Sequence, residues 1–135
     1  MNREPSALQL LRVADAELHT LRLMLRDPRF SDSAFGLHAY VATEMAIRAR
    51  LSLLEIPWVP SSDLSVLATS LRDNDLALDN RFGPLVELTD FGADPEDSLH
   101  QQPVLKEDRG KIVRLAEELV ALAKAQQVQI EPCSE

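Results

Sequence analysis

The stretch "FGLHAYVATEMAIRARLSLLEIPW", residues 35–58, decides how this chain folds. Placed at about 100° per residue, Leu37, Tyr40, Val41, Ile47 and Leu51 form one continuous stripe, while Ala39, Ala42, Ala46, Ala49 and Leu53 cover much of the other side. A helix apolar nearly all round belongs at the centre of a bundle, enclosed by other helices. Yet Glu44 and Arg48 fall in the middle of the stripe. A carboxylate four residues ahead of a cation is the favourable helix orientation, worth only about 0.2–0.5 kcal/mol when exposed. Inside a bundle the pair is costly to desolvate unless further hydrogen bonds satisfy it. Asp63, at the start of the next helix, and Asp15, near the inner edge of the first, are the expected additional partners. Glu44, Arg48, Asp63 and Asp15 therefore make up the candidate polar network, which fixes helix register or contacts a ligand or second subunit.

The flanking sequence supplies the enclosing helices. "PSALQLLRVADAELHTLRLMLRD" has Pro5 where a missing N–H costs nothing and Asp27-Pro28 at its stop. Ala7, Leu11, Ala14, Leu18, Leu21 and Leu25 follow the spacing of one buried face. "PRFSDS" reads as a turn, with Ser31, Asp32 or Ser33 capping a second helix over about 33–55. Pro57 and Pro60 break that helix, and Ser61 or Ser62 restarts one carrying Leu64, Leu67 and Leu71. "NDLALDN" reads as a loop or frayed helix, and a short helix opens at Pro84. "GADPEDSLHQQP" has the content of an exposed loop, centred on the acidic residues at 92–99. A last helix starts near Glu107 or Asp108, buries Ile112, Leu115, Leu119 and Leu122, and fades near Gln127. No strand pattern or internal repeat interrupts this order. The expected fold is all-α, an up-and-down four-helix bundle with one short extra helix. It forms a single domain over 1–135, with its core at about 5–127 and a disordered tail at 128–135.

The chain has 135 residues, of which 45% are hydrophobic and 27% charged, with only 4 glycines. That length buries enough core to need no disulfide or metal. The lone Cys133 has no partner for a bridge and suits a reducing cytoplasm. No apolar run approaches the roughly 18 residues of a membrane span. A formal charge of −8 argues against a broad nucleic-acid footprint, which relies on clustered Lys and Arg. The acids concentrate in "RDNDLALDNR", "DPED" and "EPCSE", so a local basic patch is compatible with the total.

Side chains with catalytic chemistry are sparse. None of His19, His38 and His100 has a Glu three residues before it, so the di-metal motif of helical bundles is missing and no metal or other cofactor is expected. No glycine-rich phosphate loop is present, and Cys133 lacks the setting of a nucleophile. Arg12 and His19, in "RVADAELH", could polarise a phosphate and move a proton. They are the only catalytic candidates, and two solvated helix residues would look the same.

The segment "ATEMAIRARLSLLEIPWVPSSDLSVL" resembles the HEPN family of small helical bundles. That family carries Ala-x-Glu-Lys-x-x-Lys-Ala on its second helix, then a short proline-containing linker and a His-Asp-Leu opening the third. Ala42, Glu44, Arg48, Ala49, Pro57, Asp63 and Leu64 align, whereas Met45 replaces the first basic residue and Ser62 the His. The resemblance implies a homodimer, nucleotide binding, and pairing with a minimal nucleotidyltransferase as toxin and antitoxin. Active members are metal-independent RNases with an Arg, four to six residues, then a His, late in the bundle. The late region here has no Arg before His100, and Arg12 and His19 keep the spacing on the wrong helix, with Val13 where a polar residue is usual. The expected function is thus a dimeric, non-catalytic HEPN-like protein that binds a partner or nucleotide. The alternative is a metal-independent endoribonuclease toxin.

Overall fold

A computed structural model describes residues 4–92 and 103–130. His100, Cys133 and most of the acidic loop expected at 92–99 lie outside these residues. Among the described residues there are five α-helices and no strand: α1 (Ala7–Leu25), α2 (Asp32–Leu53), α3 (Leu64–Arg72), α4 (Gly83–Val86) and α5 (Arg109–Ile130). Short 3-10 turns, Asn80–Phe82 and Glu87–Gly92, flank α4.

Each start has a chemical cause. Ser6 caps α1 by accepting from the Gln9 N–H at 3.1 Å, and the Gln9 side chain accepts from the Ser6 N–H at 2.8 Å, a reciprocal capping box. Ser31 caps α2 by accepting from the Ala34 N–H. α3 is capped by Asp63 instead of the expected Ser61 or Ser62: its carboxylate accepts from the Ser65 N–H and hydroxyl, while Ser61 Oγ accepts from the Asp63 N–H. An ionised carboxylate at a helix N-terminus outcompetes a hydroxyl for this position because it also meets the positive end of the helix dipole.

α2 lies at the centre and touches every other α-helix, as an all-round apolar surface requires. α1 and α5 also pack on one another. The core joins Leu10, Leu11, Leu18 and Leu21 of α1, Phe35, Ala39, Ala46 and Ile47 of α2, Leu64, Leu67 and Leu71 of α3, and Ile112, Leu119 and Val120 of α5. Three expected core positions are exposed. Leu25 is 41% exposed and Met24 closes the buried face, because the helix ends there and its last side chain passes beyond its neighbours. Leu122 gives way to Ala123, a smaller residue that permits closer packing. Leu37 is 43% exposed, since the stripe of α2 is wider than the helices that cover it. α5 also continues past Gln127, so Val128–Ile130 belong to a helix rather than a tail.

The 3-10 turn after α4 lies across α2 through two close approaches. A Cβ on Gly36 would sit 2.1 Å from the Phe91 ring, and one on Gly92 would sit 2.3 Å from the Tyr40 ring. Thr89 Oγ1 accepts from the Leu64 N–H, so the same turn also satisfies the start of α3.

Candidate functional site

Tyr40, Glu44 and Arg48 recur every four residues and therefore share one face of α2. This row grips the connection between α2 and α3. Arg48 donates from Nε to Glu44 Oε2 at 2.9 Å, from one terminal nitrogen to the Val59 carbonyl at 2.9 Å, and from the other to the Ser61 carbonyl at 2.7 Å. Its guanidinium carbon lies 4.0 Å from the centre of the Trp58 ring. Tyr40 donates to the Ser62 carbonyl at 2.7 Å. Burial, and secondarily the negative charge of Glu44, push the Tyr40 phenol above its ordinary pKa. It remains a neutral hydrogen-bond donor at physiological pH.

The sequence of the connection explains why a side chain must do this work. Pro57 and Pro60 remove two backbone donors and hold the chain extended, so Val59 and Ser61 present carbonyls to α2 without a helical partner. A planar guanidinium satisfies two carbonyls and a carboxylate at once. The Arg48 side chain is 5% exposed and Glu44 16%, so the ion pair is largely desolvated, with each guanidinium nitrogen making a hydrogen bond. At one end, Glu4 accepts from the Trp58 N–H at 3.2 Å, closing a cavity of about 10 Å³ between the chain start, α2 and the strap.

The two aspartates expected in this network are elsewhere. Asp63 caps α3, and the Ser65 hydroxyl and N–H hold its carboxyl below the usual range. Asp15 is on the exposed face of α1, paired with Lys124 of α5 at 2.8 Å. Backbone carbonyls are nearer to Arg48, because the strap folds back over α2. Arg12 and His19 are exposed on α1, and among the described residues neither has a hydrogen-bond or ion-pair partner.

Two pairs across helices were invisible in the sequence. His38 Nδ1 on α2 meets Glu17 Oε1 on α1 at 2.5 Å, with both side chains partly exposed. Arg50 is 9% exposed and donates to Gln126 Oε1 at 2.9 Å, while Gln126 donates back to the Arg50 carbonyl. Burial lowers the Arg50 pKa. Residues 76 positions apart leave no local spacing to read. Tyr40 did leave a signal, the four-residue step to Glu44.

Among the described residues no group of three or more His, Cys, Asp and Glu is placed to hold a metal, and no helix is long and apolar enough to cross a membrane. The chain matches no family model, no curated protein and no solved structure.

Proposed function

We propose that this protein is a HEPN-like, homodimeric helical module that works by binding a partner, with no catalytic step of its own. The observation behind this reading is the engagement of Arg48. All three of its nitrogens donate to groups within the fold, and Trp58 covers one face. A guanidinium so engaged has no free fork for a phosphate, and Glu44 beside it is bound as an ion-pair partner. Arg12 and His19 stand exposed without the oriented acid–base contacts that general catalysis uses.

The same reading makes α1, α2, α3 and α5 the principal helices of an up-and-down bundle, with α4 as the extra one. The short connection over 26–31 and the packing of α1 on both α2 and α5 support that path. It also makes a minimal nucleotidyltransferase, or a nucleotide, the partner class in a toxin–antitoxin type of pair acting in the cytoplasm.

RNA cleavage without added metal tests the reading, with wild type compared with Arg12→Ala, His19→Ala and His100→Ala. Folded wild-type protein is expected to cleave no faster than background. Cleavage abolished by one of the substitutions would overturn the reading in favour of a metal-independent endoribonuclease.

A further inference from the structure

Away from the strap, α3 and the segment 77–87 enclose an open groove of about 520 Å³. Ligand sites commonly fall between about 300 and 1,000 Å³. Ala68, Leu78, Phe82 and Val86 give it an apolar lining. Phe82 is fully buried, so the base of the groove is part of the packed core and does not depend on a mobile side chain.

Its polar groups are largely unused by the fold. Arg72 and Glu87 line the groove and, among the described residues, carry no ion pair. The Thr69 hydroxyl and the Asn80 amide likewise have no side-chain hydrogen bond. Asp79 commits one carboxylate oxygen, to the Arg81 N–H at 2.9 Å, and keeps the other. Such groups stand in contrast to Arg48, each of whose three nitrogens donates within the fold.

The charge selects the occupant. Two carboxylates, Asp79 and Glu87, face one cation, Arg72, and Asp73 and Asp75 extend the acidic character along the chain leaving α3. A cationic ligand gains from this field, and an anionic one is repelled by it. The apolar lining requires that the ligand also carry apolar side chains.

We propose that this groove docks a basic, amphipathic peptide segment of a partner protein. Apolar side chains of the segment cover Leu78 and Val86, and its Lys or Arg side chains pair with Asp79 and Glu87. Arg72, Thr69 and Asn80 meet the peptide backbone carbonyls and carboxylate groups. The inference rests on the binding-module reading above and assigns it a surface.

Gly83 supplies the means to test this. It lines the groove, its backbone is already helical, and beyond its chain neighbours a Cβ there meets nothing within 4 Å. Gly83→Trp therefore obstructs the groove without displacing core atoms, and Glu87→Lys reverses its charge at an exposed position. Glu55→Lys, a charge reversal outside the groove, is the control. Fluorescence anisotropy would follow a labelled Leu/Lys amphipathic peptide and its Leu/Glu counterpart, with each variant's fold checked by its melting curve. Wild type is expected to bind the Lys peptide at least tenfold more tightly than the Glu peptide. Gly83→Trp and Glu87→Lys are each expected to weaken binding at least tenfold, and Glu55→Lys less than twofold. No binding by wild type, or binding that Gly83→Trp leaves unchanged, would overturn the assignment. Assaying the same samples for RNA cleavage separates the two failures: a silent assay with no groove-dependent binding removes the groove alone, whereas cleavage removes the non-catalytic reading itself.

Discussion

Arg48 ties α2 to the connection that follows it, and its value depends on fork geometry as much as on charge. Arg48→Lys keeps the charge but cannot reach Glu44, Val59 and Ser61 together, and is expected to cost about 1–3 kcal/mol in chemical denaturation. Arg48→Ala leaves the largely buried Glu44 carboxylate and the Ser61 carbonyl without their donor, while Val59 keeps the bond from the Ser61 N–H, and should cost more than Arg48→Lys, about 2–4 kcal/mol. Equal stability of wild type and Arg48→Lys would mean that the strap carbonyls find other donors. Glycines divide by the same kind of local argument. Gly36→Ala drives a methyl into the Phe91 ring and should cost about 1–3 kcal/mol. Gly83→Ala meets open space beyond its chain neighbours, but a Cβ on a helical residue ahead of Pro84 is disfavoured, which offsets the gain from lost glycine freedom and leaves a net change of about 0.5 kcal/mol or less. Thermal melts should place Gly36→Ala well below wild type and Gly83→Ala close to it.

Among the elements, α2 and α3 end in the same way. The Ile56 N–H bonds to the Leu51 carbonyl and the Glu55 N–H to Ser52, just as Leu76 bonds to Leu71 and Asp75 to Arg72. This closure needs a left-handed residue, and Glu55 at φ 60° and Asp75 at φ 66° supply it without being glycine. Glu55→Gly should therefore raise stability by about 0.5–1 kcal/mol, read from the denaturation midpoint. The start of α2 is tied to α5 by a charge. Arg109, and then the Leu105 N–H, hold the Asp32 carboxyl below its ordinary pKa. Because the folded value is depressed, this stabilisation is present above the unfolded pKa near 3.9 and is lost as pH falls through the folded value. The site is partly exposed, which limits the effect to about 1 kcal/mol or less. Asp32→Asn should narrow the stability difference between pH 7 and pH 3, and an unchanged pH profile would refute the linkage.

For the whole molecule, the uncovered side of α2 and its surroundings matter most. Leu37 is 43% exposed and Trp58 38%, with Val41 and Met45 only partly buried. Exposed apolar surface on a central helix favours self-association. A dimer is expected to persist at micromolar concentration, and a monomeric mass by light scattering would count against it. Leu37→Glu is expected to shift that mass towards the monomer while leaving the melting curve of the monomer intact.

The all-helical class, the central place of the helix expected at about 33–55, most of the buried leucines, and the polarity of Glu44 and Arg48 follow from the sequence itself, because periodicity and proline placement are properties of neighbours in the chain. The sequence also exposed the pair's problem, two charges in an apolar stripe, without naming the groups that satisfy it. Those groups are the Val59 and Ser61 carbonyls, and every residue has a carbonyl. Which ones turn inward depends on how the strap closes over α2. The same holds for His38 with Glu17, Arg50 with Gln126, and the groove between α3 and the segment at 77–87. Each is made by side chains on different elements, and only the packing of those elements brings the partners together.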